Sequence, residues 1–227
     1  MTVHLHRDLD VLHRDLLSMC AKVEEMVRSA VNLLIEHDYA EASGFAARDK
    51  AIDDAEVELE ETCLRLLALH QPVAVDLRRL TAVMKISGEL ERVADLSVNI
   101  AERSLGVADA VDLRKPDGIV DMATVAIDML HESIDAYVGL DAVAAREVRS
   151  RDDLVDRMNV EVIDSVVALM HAHPADLDAL LHLFSATRQI ERVADHATNI
   201  AEDVVYLVEG EIIRHQPRLA VGSEADG

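Results

Sequence analysis

The sequence predicts an all-α protein built from two tandem three-helix bundles that are related by an internal repeat. The first observation is a twelve-residue segment that occurs twice, as ERVADLSVNIAE at Glu91 to Glu102 and as ERVADHATNIAE at Glu191 to Glu202. The second is the scarcity of turn residues, because only eight Gly and four Pro occur among 227 residues. The third is a core that must be aliphatic, since half of the residues are apolar and only 2% are aromatic. Together these features favour a few long helices in a duplicated unit.

Apolar residues at helical spacing predict three helices in the first half. The first runs from about Asp8 to His37, and Asp38 opens a short connection. The second covers about Glu41 to Leu69 and ends before Pro72, because the residue that precedes proline is biased away from helical geometry. The third runs from about Asp76 to Leu105 and contains the first copy of the repeated segment.

The same plan predicts three helices in the second half. They cover about Ile119 to Gly139, Ala144 to His171 and Asp176 to Ile213, and the fifth helix ends before Pro174 as the second ends before Pro72. We therefore expect a first bundle at residues 1–107, a second at 108–215 and a disordered polar tail at 216–227.

Acidic residues recur at equivalent positions of the two halves. They form like-charged pairs one helical turn apart, at Asp49/Asp53, Glu91/Asp95, Asp152/Asp156 and Glu191/Asp195. Each such pair is expected to destabilise its helix by roughly 0.2–0.5 kcal/mol. Because these destabilising pairs occur in both halves, we expect another group to neutralise the carboxylates.

Two interpretations of these acidic stripes remain open. Either they are the solvated faces of ordinary surface helices, or adjacent helices bring two pairs together to bind a cation. Paired carboxylates are ligands that Mg²⁺, Mn²⁺, iron or Zn²⁺ accept. In the second case Asn99 and Asn199 are candidate neutral oxygen ligands or residues that orient the ligands.

Charge and composition exclude several functional classes. A formal net charge of −22 argues against binding to nucleic acid or to an anionic membrane surface, while it would attract a basic partner or a cation. The sequence has no signal peptide and no apolar run long enough to insert into a membrane, so we expect a cytoplasmic protein. Cys20 and Cys63 lie in apolar helical patterns and are expected to be buried thiols.

The sequence resembles the PhoU family of phosphate-specific transport system accessory proteins. The resemblance is carried by Gln71–Pro72, by Asp76–Arg78, by ELERVAD at Glu89–Asp95 and by the second copy at Glu191–Glu202, and it extends over nearly the whole chain. It implies two three-helix bundles related by a pseudo-two-fold axis and multinuclear iron or zinc at the E(D)xxxD motifs. The resemblance places the metal ligands at Asp49, Asp53, Glu91 and Asp95 in a first site, and at Asp152, Asp156, Glu191 and Asp195 in a second.

The resemblance also implies a role. Members of the family act as negative regulators of the phosphate-starvation response, couple the ATPase subunit of the phosphate ABC transporter to a sensor histidine kinase at the inner face of the membrane, and commonly form homodimers. The sequence favours such an adaptor, because no nucleophile, base and orienting group are clustered with the carboxylates. The alternative is a metal-dependent enzyme that acts on a phosphate compound.

Overall fold

A computed structural model describes residues 2–36, 44–108 and 115–214, and every regular element within these ranges is helical. The seven α-helices are α1 (Thr2–Glu36), α2 (Phe45–His70), α3 (Ala74–Val107), α4 (Ile119–Gly139), α5 (Ala142–Ser150), α6 (Asp152–Ala172) and α7 (Leu177–Glu209). A 3₁₀ turn, Pro174–Asp176, precedes α7. The predicted all-α fold is confirmed.

The observed helix boundaries confirm that two helices end before prolines, and they correct three other expectations. Helices α2 and α6 end before Pro72 and Pro174, as predicted. In contrast, α1 begins at Thr2 and α7 ends at Glu209, and the predicted fifth helix, Ala144 to His171, is two helices. The predicted turn at Asp38, the predicted start of the second helix at Glu41 and the tail at 216–227 lie outside the described residues.

The break between α5 and α6 falls at Ser150 and Arg151. The Ser150 hydroxyl donates to the Glu147 carbonyl at 2.7 Å, which offers that carbonyl a partner other than the helix ladder. The Arg151 amide then bonds to the Val148 carbonyl, as in a tighter turn. The break makes Asp152 the first residue of α6, where a negative charge is favourable.

Two bundles pack against each other through their last helices. Helices α1, α2 and α3 form the first bundle, helices α4 to α7 form the second, and α3 packs along α7. Lys85 pairs with Asp203 at 2.8 Å and Glu89 accepts from Asn199 at 3.1 Å. Because residue numbers rise along α3 as they fall along α7, the two helices are antiparallel.

The register of this pair places the repeated segments opposite each other. The contacts of Lys85 with Asp203 and of Glu89 with Asn199 lie at equal distances in sequence from Ala94 and Ala194, which are buried. The two copies therefore cross near an axis that relates one half to the other, whereas the boundary between residues 107 and 108 stays a prediction.

Aliphatic residues fill the core, as the composition predicted. Leu16, Leu90 and Ile100 are completely buried among the packed helices. Cys20 and Cys63 are buried free thiols, and burial raises the pKa of each to about 12. Across the described ranges, no helix combines the length and hydropathy that a membrane crossing requires.

Candidate metal centre

The predicted acidic residues lie along two grooves, one in each bundle. The first groove, between α2 and α3, and the second groove, between α6 and α7, contain the predicted ligands, namely Asp49, Asp53, Glu91 and Asp95 in the first and Asp152, Asp156, Glu191 and Asp195 in the second. Carboxylates from the two helices of each groove repel one another, as Asp49 and Asp95 do in the first and as Asp152 and Asp195 do in the second. Adjacent helices thus bring the pairs together.

The first groove is only partly neutralised by basic residues. Arg92 lies 3.2 Å from Glu91 and 3.6 Å from Asp95. Partial burial together with the neighbouring carboxylates nevertheless raises the pKa of Asp49 and of Glu91. Asp49 Oδ1 is buried and has no hydrogen-bond partner among the described residues. An unpartnered, buried carboxylate oxygen of this kind suits a cation.

The second groove combines one buried carboxylate with exposed ones. Asp152 is buried and accepts a hydrogen bond from the Thr198 hydroxyl at 3.1 Å. Asp152, Asp153 and Asp156 each place one oxygen atom within 4.8 Å of the others. Three oxygen ligands at such spacing fit a divalent cation.

The facing helix adds two further carboxylates to this groove. Atoms packed around the Asp195 carboxyl reduce its solvation, although more than a third of the residue surface stays open. This desolvation, together with the charges of Glu191, Asp152 and Asp156, raises the pKa of Asp195 to about 6. Burial likewise raises the pKa of Glu191. Desolvation and mutual repulsion of these negative charges therefore raise the free energy of the folded protein, and a bound cation would offset that increase.

The two grooves differ at residues that the repeat could not reveal. Asp153 was not a predicted ligand, because the equivalent position of the first half is Lys50, which pairs with Asp54 at 3.0 Å. Thr198, which donates to Asp152, has Val98 as its counterpart. The pair of acidic residues at Asp152 and Asp153 was the available sequence signal for the extra carboxylate.

The two repeated asparagines make different contacts. Asn99 Nδ2 donates to the Asp95 carbonyl within α3. Asn199 Nδ2 instead donates across the two halves to Glu89, whose Oε2 also lies 2.6 Å from His196 Nδ1. Burial disfavours the Glu89 charge, but these two hydrogen bonds outweigh it and lower the pKa of Glu89. The contacts of Asn199 thus join α3 to α7 beside the first groove.

The repeated segments also diverge at their last residue. Glu102 is exposed, whereas Glu202 is buried and pairs with Arg149 of α5 at 2.8 Å. The acidic stripe of α7 therefore does not continue to Glu202 as a ligand face, because that carboxylate holds the short helix α5 against α7.

Stability of the metal-free protein should decrease as the pH rises from about 4 to about 7. The pKa of Asp195 is about 6 in the folded state, above its value in an unfolded chain, so the folded state binds more protons in this window. Asp195→Asn should flatten the dependence and stabilise the protein at pH 7 by about 1 kcal/mol, because solvent screens part of the repulsion. Urea unfolding with chelator present measures both effects.

Asp128→Asn is the matched control for that experiment, because Asp128 is exposed on α4 away from both grooves. The free energy of unfolding of this variant should depend on pH in the same way as that of the wild-type protein. A wild-type stability that rises between pH 5 and pH 7, or an Asp195→Asn protein with an unaltered profile, would contradict the role given to carboxylate repulsion.

Comparison with known proteins agrees with the duplicated architecture. The family described as PhoU domain matches residues 16–104 and again residues 119–204. A homologue of the phosphate-specific transport system accessory protein PhoU from Rhizobium meliloti (strain 1021) is 33% identical over 204 residues, which is 89% of this chain and 86% of the relative. A homologue from Pseudomonas aeruginosa is 34% identical over 211 residues, 92% of this chain and 86% of the relative.

Solved structures show the same fold. The crystal structure of PhoU from Pseudomonas aeruginosa has a TM-score of 0.85 and 33% identity, covering 91% of this chain and 99% of that one. The phosphate transport system regulatory protein PhoU from Streptococcus pneumoniae has a TM-score of 0.83 and 26% identity, covering 92% of this chain and 98% of that one. With two domain matches that together span most of its helices, this chain belongs to the PhoU family.

Proposed function

We propose that this protein is a regulatory accessory protein of phosphate transport. The observation that carries the proposal is membership of a family whose relatives are named as accessory proteins of the phosphate-specific transport system, with similarity over most of both chains. In this role the protein works through binding surfaces rather than through catalysis. Its net charge of −22 suits partners that present basic surfaces.

The regulatory role that we propose is negative control of the phosphate-starvation response. The protein would contact the ATPase subunit of the phosphate ABC transporter and a sensor histidine kinase, as a homodimer in the cytoplasm at the inner face of the membrane. A signal follows if the protein binds one state of the kinase more tightly than the other while the transporter is occupied, because only differential affinity shifts an equilibrium.

We further propose that each groove holds a divalent metal, with iron, zinc or manganese as candidates. The ligands would be Asp49, Asp53, Glu91 and Asp95 in the first groove and Asp152, Asp156, Glu191 and Asp195 in the second, where Asp153 is available as an additional carboxylate. The cation would supply positive charge that offsets the repulsion between helices. Its role in this proposal is to fix α2 against α3 and α6 against α7, and thereby to set the shape of the surface that partners meet.

Deletion of the gene tests the regulatory proposal. A strain without this protein, and without any second copy of it, should express phosphate-scavenging genes even in phosphate-rich medium, because the restraint on the kinase is lost. Complementation with the wild-type gene should restore repression. Normal repression in the deletion strain at high phosphate would rule out negative regulation.

A second candidate is a metal-dependent enzyme that acts on a phosphate compound. The feature that favours it is the pairing of Glu89 with His196 at 2.6 Å in a cleft that Glu91 of the first groove also lines. A histidine held by a carboxylate is a common general base. Turnover of generic phosphoesters by the purified protein with Mn²⁺, lost in His196→Ala, would support the enzyme, whereas no turnover supports the accessory role.

A further inference from the structure

Asn159 is a polar residue that the packing of the second groove leaves unsatisfied. It lies on α6 one turn beyond Asp156, and only 5% of its surface is exposed. Its Oδ1 is buried and has no hydrogen-bond partner among the described residues. Buried side-chain carbonyls of folded proteins nearly always have a partner, so this oxygen requires an explanation.

The Asn159 amide nitrogen faces a carboxylate on α7. Nδ2 lies 3.5 Å from Glu191 Oε1, one of the carboxylates of the second groove. Reversing the amide would bring Oδ1 against that carboxylate oxygen and would leave Nδ2 without its acceptor. This orientation leaves Oδ1 available for a different partner, which can be a hydrogen-bond donor or a cation.

The carboxylates near Asn159 favour a cation as that partner. Asp152 and Asp156 precede Asn159 by two turns and by one turn on the same side of α6, and their oxygen atoms belong to the cluster of three carboxylates. Glu191 and Asp195 face them from α7. An uncharged oxygen at the end of this row extends the set of oxygen ligands without adding repulsion.

The first groove differs at the equivalent position. Glu56 stands there, and partial burial together with the nearby Glu60 raises its pKa. At this position the first groove therefore has a carboxylate, whereas the second has an amide. Ligand type and charge determine which cations a site accepts, so the two grooves are not chemically equivalent.

We propose that Asn159 Oδ1 is a ligand of the cation in the second groove, which makes that groove a mixed carboxylate and amide site for an oxygen-preferring divalent cation such as Mn²⁺. This inference rests on the proposed metal binding by the grooves. The buried amide explains both its own missing hydrogen bond and the departure from the repeat at this position.

The test uses the full-length chain with Asp49 and Asp95 both replaced by Asn, so that only the second groove keeps all of its carboxylates. Isothermal titration with Mn²⁺ then reports that groove alone. In this background Asn159→Ala should weaken Mn²⁺ binding about tenfold or more, the range seen when groups that support a metal site are removed. Glu161→Ala, which removes an exposed carboxylate from the same helix, should leave the affinity unchanged.

Asn159→Asp separates a ligand from a residue that only packs. A ligand predicts Mn²⁺ binding at least as tight as with Asn, because an oxygen is retained and gains charge. A packing role predicts weaker binding, because the new charge repels Glu191. Circular dichroism establishes that each variant is folded.

The outcomes also distinguish this inference from the proposed function. Mn²⁺ binding that Asn159→Ala leaves intact overturns the role of Asn159 and leaves the metal proposal standing. Absence of Mn²⁺ binding in both the parent variant and the wild-type protein overturns both.

Discussion

A protein in which Asp95 and Asp195 are both replaced by Asn is expected to lose most of its bound divalent metal, and its melting temperature should no longer respond to added Mn²⁺. Each substitution removes one carboxylate from one groove while the side-chain volume stays the same. In the wild-type protein a metal at 100 times its Kd stabilises the folded state by about 2.7 kcal/mol per site. For a chain of this size that corresponds to an increase in Tm of roughly 5–10 °C per site.

Melting curves with and without Mn²⁺ measure this effect, and metal analysis of the same samples measures occupancy. Asp128→Asn, on α4, should keep the full response because it changes the net charge equally at an exposed position. If the double variant retains its metal and its response, the acidic stripes are solvated faces and the ligand assignment is wrong.

Leu90→Ala should lower the free energy of unfolding by about 3 kcal/mol. Leu90 is completely buried on α3, the helix that packs against α1, α2 and α7. Truncation of a buried leucine forfeits its transfer free energy and leaves a cavity that surrounding helices fill only in part. Urea unfolding followed by circular dichroism provides the measurement, with the denaturant midpoint expected to fall while the slope stays constant.

Leu64→Ala is the matched control for this substitution, because half of the Leu64 surface on α2 is exposed. This substitution should lower the free energy of unfolding by less than about 1 kcal/mol, because the Leu64 side chain buries little apolar surface in the wild-type protein. Equal losses for the two variants would mean that α3 is not the centre of the packing.

The architecture was predictable because its signals are local and duplicated. The two copies of the ERVAD segment indicated the repeat, and the prolines at Pro72 and Pro174 marked the ends of α2 and α6. The break at Ser150 and Arg151 was not predicted. No Pro or Gly marks it in the sequence.

The relation between the halves could not be derived from the helical pattern. Periodicity identifies the buried face of α3 and α7, but the antiparallel register depends on which side chains meet across the crossing. Glu89 of α3 reaches His196 and Asn199 on α7, and Lys85 reaches Asp203. Such contacts join residues distant in sequence and leave no periodic signature.

The candidate site was predicted where the halves agree and missed where they differ. The paired carboxylates repeat, so their spacing on adjacent helices indicated two grooves. In the alignment of the two halves, Asp153 corresponds to Lys50 and Thr198 corresponds to Val98. The contribution of Asp153 and Thr198 to the second groove depends on their contacts with Asp152 in the folded protein. The asymmetry at Asn159 was visible in the sequence, but its unpartnered oxygen follows only from packing.

Elemental analysis of the wild-type protein, purified without chelator or affinity tag, shows directly whether the duplicated carboxylate grooves are metal sites. We expect bound iron, zinc or manganese that is lost on dialysis against chelator, regained on titration and reduced by Asn substitution in either groove. A protein that emerges without metal, takes up none on titration and melts at the same temperature with or without divalent cations would contradict it.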